Sequence, residues 1–215
     1  LLAKLLFIPL IIHEQNTIPG TTNRLLSKLA NKSFQAFENS FDKTIKASTV
    51  GNPLLFKPIL KKTPKLAQKI LVLGGSLGAQ KINETITKIK TPLNIWHQTG
   101  AKHFENVKAS YNNDLHVNLK IEPFIDDMAS AYAWADVVIC RAGAMTISEL
   151  IASKTIAILI PFPYAVDNHQ TVNAQHLSKN GAGILIKEED LSADLIEIEL
   201  RGLNPKKLQD ITTKL

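Results

Sequence analysis

Residues 69–89 read "KILVLGGSLGAQKINETITKI", and this stretch decides the fold. Four apolar residues, Ile70 to Leu73, run without alternation into a turn built on Gly74, Gly75 and Gly78. Ile82, Ile86 and Ile89 then recur at three- and four-residue spacing. An unbroken apolar run is what a strand buried on both faces needs, and the later spacing is one face of a helix. The same unit recurs downstream. "LNIWHQTG" precedes "AKHFENVKASY", and "HVNLKIEPF" precedes "DDMASAYAWA", with Asp126 or Asp127 as N-cap. "DVVIC" leads into "AMTISELIAS", and "TIAILIPFP" into "NHQTVNAQHLSKN", which Gly181 closes; "AGILIK" is a last strand before helices that run to the end. Short apolar strands alternating with helices are βαβ units. They predict an α/β protein with a parallel, doubly wound sheet.

Upstream, "PLIIHEQ" is a buried strand followed by a helix around "TTNRLLSKLANKS", then "FQAFENS" and "KTIKASTVGNP". The stretch "KPILKKTPKLAQ" is rich in Lys and Pro and lacks an apolar period, so it reads as a linker. The expected division is a first unit over 1–56, a linker over 57–68 and a larger unit over 69–215, the last helix being free to pack back on the first unit. The opening "LLAKLLFIPLIIHEQN" has no Met, and its apolar run from Leu5 to Ile12 is broken by Pro9 and too short to span a bilayer. It also lacks the flanks of a signal peptide. A buried parallel strand needs neighbours on both sides, so the expectation is the later part of a longer protein.

The 215 residues are 45% hydrophobic and 20% charged, which is the composition of a folded globular chain and not of a disordered or fibrous one. The single cysteine, Cys140, excludes an internal disulfide and fits a reducing compartment. A net charge of +6 favours anionic partners. Lysine dominates the basic residues, so Arg141 at the end of a buried strand stands out.

Three turns carry the chemistry. In "LVLGGSLGAQ" the glycines and Ser76 sit between strand and helix, where backbone N–H groups suit a negative or strongly polar group. The spacing is not that of a dinucleotide fold, and no acid ends the next strand, so no nicotinamide cofactor is expected. Close packing alone also accounts for such glycines. In "CRAGAMTISE", Gly143 and Ala144 leave a helix start clear of side chains, and Thr146 adds a hydroxyl suited to phosphate. Glu149 lies at i+3 from Thr146 on the same face, placed to accept from sugar hydroxyls. Phosphate beside diol spells a nucleoside diphosphate; the structural alternative is a capping arrangement of Thr146 and Glu149. In "PFPYAVDNHQTVNA", Asp167, Asn168, His169, Gln170 and Asn173 gather at a helix start. Asp167 is a possible cap, and the amides suit a neutral sugar. "HEQN" at 13–16 has the same character. His13 and His169 lack the companions of a metal site.

Taken together, "HEQNTIPGTTNRLLSKLA", "VGNP", "LVLGGSLGAQ", "WHQTG", "FIDDMASAYAWADVVICRAGAMTISEL" and "DNHQTVNAQHL" resemble the MurG family, in order, over nearly the whole chain. That resemblance implies a GT-B arrangement of two Rossmann-like domains. It also implies an inverting transfer of N-acetylglucosamine from UDP-N-acetylglucosamine to undecaprenyl-linked muramyl-pentapeptide, without cofactor or metal. Carried over by motif, Ser76 goes to the diphosphate region and the Ile125 backbone to uracil. Ala144, Met145, Thr146 and Glu149 go to diphosphate and ribose, with Glu149 on the ribose hydroxyls. His169 and Gln170 go to the sugar, and Asn16 to the first domain's face of the cleft. Two departures stand out. Leu55 occupies the place of an arginine common after "GNP", and the family's early "GGTGGH" loop, with its candidate base, has no counterpart here. The implied partners are UDP-N-acetylglucosamine, the lipid-linked acceptor and an anionic membrane surface, with no nucleic acid. The implied place is the cytoplasmic face of the bacterial inner membrane, held peripherally, with Lys57, Lys61, Lys62 and Lys65 as basic contributors or as an ordinary solvated linker. Another UDP-sugar enzyme of the same fold and a non-catalytic UDP-sugar-binding remnant remain as alternatives.

Overall fold

The computed structural model describes residues 2–75, 78–111 and 115–215. A short helix, α1 (Leu2–Leu5), precedes β1 (Ile11–Glu14), α2 (Thr21–Leu26), β2 (Lys32–Gln35) and β3 (Ala47–Thr49). These three strands pair in parallel in the order β1-β2-β3. The chain then crosses to β4 (Lys69–Leu73), α3 (Gln80–Ile86), β5 (Asn94–Gln98), α4 (Phe104–Ser110) and β6 (Asn118–Glu122). Next come α5 (Met128–Trp134), β7 (Val137–Cys140), α6 (Ala144–Ser153), β8 (Ile156–Leu159), α7 (His169–Lys179) and β9 (Ile184–Leu185). Two helices, α8 (Ala193–Gly202) and α9 (Pro205–Lys214), end the chain.

The second sheet is all parallel, in the order β6-β5-β4-β7-β8-β9. The order reverses between β4 and β7, which opens a crevice beyond their carboxyl ends where such sheets bind ligands. Strand alternation divides the core. Ile70, Val72, Val137, Ile139, Ile156 and Ile158 meet α3, α8 and α9 on one face. Leu71, Leu73, Val138, Cys140, Ala157 and Leu159 meet α5, α6 and α7 on the other. Burial on both faces is why these strands lack a polar alternation.

Asp127 caps α5, accepting from the Ser130 N–H at 3.0 Å, as the sequence suggested. The last helix packs on the second sheet. Leu208 and Ile211 enter the core beneath β8, because the Asn204 cap turns the chain straight back after α8. Lys61 departs from the solvated-linker reading. Its ammonium donates to the Tyr132 carbonyl at 2.5 Å and also to the Ala135 carbonyl, closing the C-terminal end of α5. Lys57, Lys62 and Lys65 are exposed. Among the described residues no helix is long and apolar enough to cross a membrane.

His97, in "WHQTG", is fully buried on β5. One ring nitrogen meets the Tyr111 hydroxyl at 2.7 Å and the other the Asn83 carboxamide oxygen at 3.0 Å. Burial pulls its pKa down from 6.5 to about 3. The unfolded imidazole therefore takes up a proton first on acidification. The stability of the neutral, buried ring is present above 6.5 and is lost as pH falls through the window down to about 3. In chemical denaturation, the stability gap between the wild type and His97→Gln should narrow steadily from pH 7 to pH 4. A gap that stays constant would show that His97 does not titrate on unfolding.

Candidate active-site cleft

The turn after β4 and the turn after β7 face each other across the crevice. Gly74 and Gly78 are there for packing. A Cβ on Gly74 would meet the Ala79 nitrogen at 2.8 Å, and one on Gly78 the Thr99 carbonyl oxygen at 2.4 Å. Gly75, at φ +74°, lines the cleft, and among the described residues nothing beyond its chain neighbours comes within 4 Å of where its Cβ would be. The close-packing explanation thus holds for two of the three glycines and not for Gly75. Ser76 lies outside the described residues.

Across the crevice, α6 starts at Gly143 with no side-chain cap. Neither Thr146 nor Glu149 closes a capping box. Glu149 Oε2 instead accepts from the Tyr132 hydroxyl of α5 at 2.9 Å. The ten-residue helix therefore presents a first turn whose N–H groups no side chain covers, an electropositive end suited to an anion. Glu149 is half-buried, and burial pushes its carboxyl above the usual carboxylate range, with the Tyr132 hydrogen bond working against that. Cys140 forms part of the cavity wall, and burial, helped by the neighbouring Glu149, pushes its thiol up, so it stays neutral.

A cavity of about 410 Å³ gathers Gly75, Ile125, Thr146, Glu149 and Gln170, with Phe124 on its rim. Phe124 is 56% exposed, an apolar ring left in water at the mouth of the pocket. A second cavity of about 560 Å³ adjoins it and shares Arg141 and Gln170. Gln170 is anchored through its side-chain oxygen, which accepts the Phe162 N–H at 3.0 Å. Its amide NH₂ has no partner among the described residues.

Ala144 and Met145 form the first turn of α6 without lining the cavity; the Ala144 carbonyl accepts from Ser148 Oγ at 3.1 Å. His169 opens α7, outside the cavity wall. The α7 entry is bent. Asp167 and Asn168 both hold left-handed backbone, at φ 52° and 54°, and neither caps the helix with its side chain. His13 bonds the Gly51 carbonyl at 2.9 Å through Nε2. Leu55, at the arginine position, is 94% exposed.

Arg141 lines both cavities, but its guanidinium is already engaged by the protein. Its guanidinium pairs with Glu188, donates to the Ile160 and Pro161 carbonyls at 3.2 and 3.3 Å, and stacks over Phe162. It ties the end of β7 to the loop after β8.

Asn16 points at the second sheet's α7. Its side-chain oxygen accepts from Asn173 Nδ2 at 3.2 Å, and Asn173 also donates to the Ala142 carbonyl at 3.1 Å. Asn173 Oδ1 accepts the Thr17 N–H at 3.1 Å and hydroxyl at 2.8 Å. Glu14, 3% exposed, shapes that loop by accepting from the Asn16 and Gly20 N–H groups and from Asn23. Asn52 reaches the Gln15 carbonyl at 3.0 Å and Ser148 Oγ at 2.9 Å. Sequence reasoning placed Asn173 in the polar cluster but not in the site, and passed over Asn52. Its i+3 spacing from Gln170 was the available signal for Asn173; Asn52 had only its place in "VGNP".

The glycosyltransferase family 28 C-terminal domain matches residues 69–214, and the N-terminal domain of the same family matches residues 1–35. A protein of Vesicomyosocius okutanii named UDP-N-acetylglucosamine--N-acetylmuramyl-(pentapeptide) pyrophosphoryl-undecaprenol N-acetylglucosamine transferase is 50% identical over 204 residues, covering 95% of this chain and 58% of that protein. The Methylococcus capsulatus protein of the same name is 46% identical, over 94% of this chain and 59% of its own. The crystal structure of Acinetobacter baumannii MurG superposes with a TM-score of 0.84 at 35% identity, over 99% of this chain and 63% of that one. The chain spans a little under three fifths of the length of these curated relatives. The architecture is of the GT-B type expected from the motifs. With a family match that takes in both turns of the crevice and the α7 entry, the chain belongs to glycosyltransferase family 28.

Proposed function

We propose that this chain holds the sugar-nucleotide donor of an N-acetylglucosaminyltransferase that glycosylates undecaprenyl-linked muramyl-pentapeptide. The observation that carries the reading is the uncapped start of α6 beside the free edge of Glu149, in one cavity with Gln170. The diphosphate sits at the α6 start with Ala144, Met145 and Thr146, and Ser76 belongs to the opposite turn. Glu149 accepts from the ribose diol, uracil lies against the Ile125 backbone, and Gln170, with His169 beside it, holds the N-acetylglucosamine. Asn16 contributes from the first unit. The domain division over 1–56, 57–68 and 69–215 belongs to the same proposal.

The reaction is a single displacement. The acceptor's sugar hydroxyl attacks the anomeric carbon while giving its proton to a base, the bond to the diphosphate oxygen breaks, and UDP leaves with its developing charge against the α6 N-terminus and Thr146. That electropositive end does what a metal does elsewhere, so no divalent ion is required. No general base is assigned within these residues. The basic surplus and the exposed Lys57, Lys62 and Lys65 support a peripheral position on an anionic membrane, at the cytoplasmic face.

The test joins residues 1–215 to the remaining length of the Vesicomyosocius okutanii relative and supplies UDP-N-acetylglucosamine with lipid-linked muramyl-pentapeptide. Transfer of N-acetylglucosamine to the lipid is expected, whereas residues 1–215 alone should give none. A chimaera that epimerises or hydrolyses the donor instead would sink the reading in favour of another UDP-sugar enzyme.

A further inference from the structure

The Tyr132 ring is 1% exposed, yet its hydroxyl has a dedicated use: it donates to Glu149 Oε2 at 2.9 Å. Phenylalanine would fill the same core volume, so the hydroxyl is kept for that bond. Two contacts from the segment joining the sheets hold the tyrosine. Phe56 stacks on its ring, with centroids 5.8 Å apart and planes at 25°. The Lys61 ammonium grips its carbonyl at 2.5 Å. With Oε2 engaged, the second Glu149 oxygen has no partner among the described residues, and the side chain faces the cavity.

We infer that Tyr132 is a positioning residue for the donor: its hydroxyl fixes Glu149 in the rotamer that presents the free carboxylate oxygen to the ribose diol, and Phe56 and Lys61 hold Tyr132 in that role. The inference rests on the proposed ribose role of Glu149. An unanchored carboxylate would have to freeze its rotamer on binding and would meet the diol from a spread of directions. The bond also favours the ionised carboxylate that burial disfavours, and the ionised form is the stronger acceptor. Through Phe56 and Lys61, the segment between the sheets bears directly on the wall of the donor pocket.

The experiment titrates the wild type, Tyr132→Phe and Glu149→Ala with UDP and with 2′,3′-dideoxy-UDP, and records thermal melts of each. Tyr132→Phe should weaken UDP about tenfold and the dideoxy nucleotide less than about twofold. An equal loss on both nucleotides, or no loss on UDP, overturns the inference. Glu149→Ala separates the two levels of the reading. Selective loss there without selective loss in Tyr132→Phe overturns the positioning role alone. Indiscriminate loss in Glu149→Ala overturns the ribose role and the inference with it. If Tyr132→Phe melts too early to titrate, Phe56→Leu keeps the hydroxyl but frees the ring. It should show the same selective loss in smaller measure, and no selectivity there overturns the inference.

Discussion

Glu149→Ala should lower UDP affinity by about ten- to a hundredfold while leaving 2′,3′-dideoxy-UDP within about threefold of the wild type. Charge-assisted hydrogen bonding from the diol to a carboxylate is worth about 1.5–3 kcal/mol net, and the dideoxy nucleotide makes none of it. The variant also strands the Tyr132 hydroxyl in the wall, since its recorded acceptor is Glu149 Oε2. A loss of about 1–3 kcal/mol in stability should accompany the affinity change. If Glu149 mattered only to the helix, both nucleotides would weaken alike, and they would do so in proportion to the melting temperature. The structure gives no capping bond through which that could happen.

The glycine turn yields the second large effect. Gly78→Ala should destabilise the protein by about 2–5 kcal/mol, from left-handed backbone that costs an L-residue about 1–2 kcal/mol and from overpacking that typically costs about 1–3 kcal/mol. The added methyl would lie 2.4 Å from the Thr99 carbonyl oxygen and 2.7 Å from the His103 ring. Gly75→Ala is the contrast. Its φ of +74° carries the backbone cost, but among the described residues nothing beyond its chain neighbours comes within 4 Å of the added methyl. Gly75→Ala should therefore lose about 1–2 kcal/mol of stability and act mainly on donor binding, because the methyl projects into the cleft. Denaturant unfolding and UDP titration of both variants separate the two roles. Equal destabilisation by both substitutions would contradict the division of labour in this turn.

The doubly wound sheet was legible because burial on both faces erases alternation. "ILVL", "VVIC" and "IAIL" are apolar at every position for that single reason. The helix start at Gly143 was legible for a related reason, since small residues before an apolar period leave backbone N–H groups uncovered. What Arg141 binds was not legible because its partner, Glu188, stands 47 residues later within "KEED", a run that looks like a solvated face. Charge pairing across that distance leaves no local period. Lys61 hid in the same way: a lysine in a Lys- and Pro-rich segment looks solvated, while the helix-end carbonyls it binds lie 71 and 74 residues further along. Tyr132 reads as core from its place in α5, and core it is; only its hydroxyl distinguishes it, and a sequence pattern does not show where a hydroxyl points. The bridge from Thr17 and Asn16 to Asn173 joins residues more than 150 positions apart, so nothing short of the folded chain brings them together.

The central claim is that the uncapped α6 start, Glu149 and Gln170 form a donor site for UDP-N-acetylglucosamine that needs no metal. Calorimetric titration of residues 1–215 with UDP-N-acetylglucosamine and UDP, in the presence of a chelator, tests it most directly. The account predicts saturable one-to-one binding of both ligands, unchanged when magnesium or manganese replaces the chelator. Binding that appears only with a divalent ion, or a response to UDP matched by ADP, would contradict it.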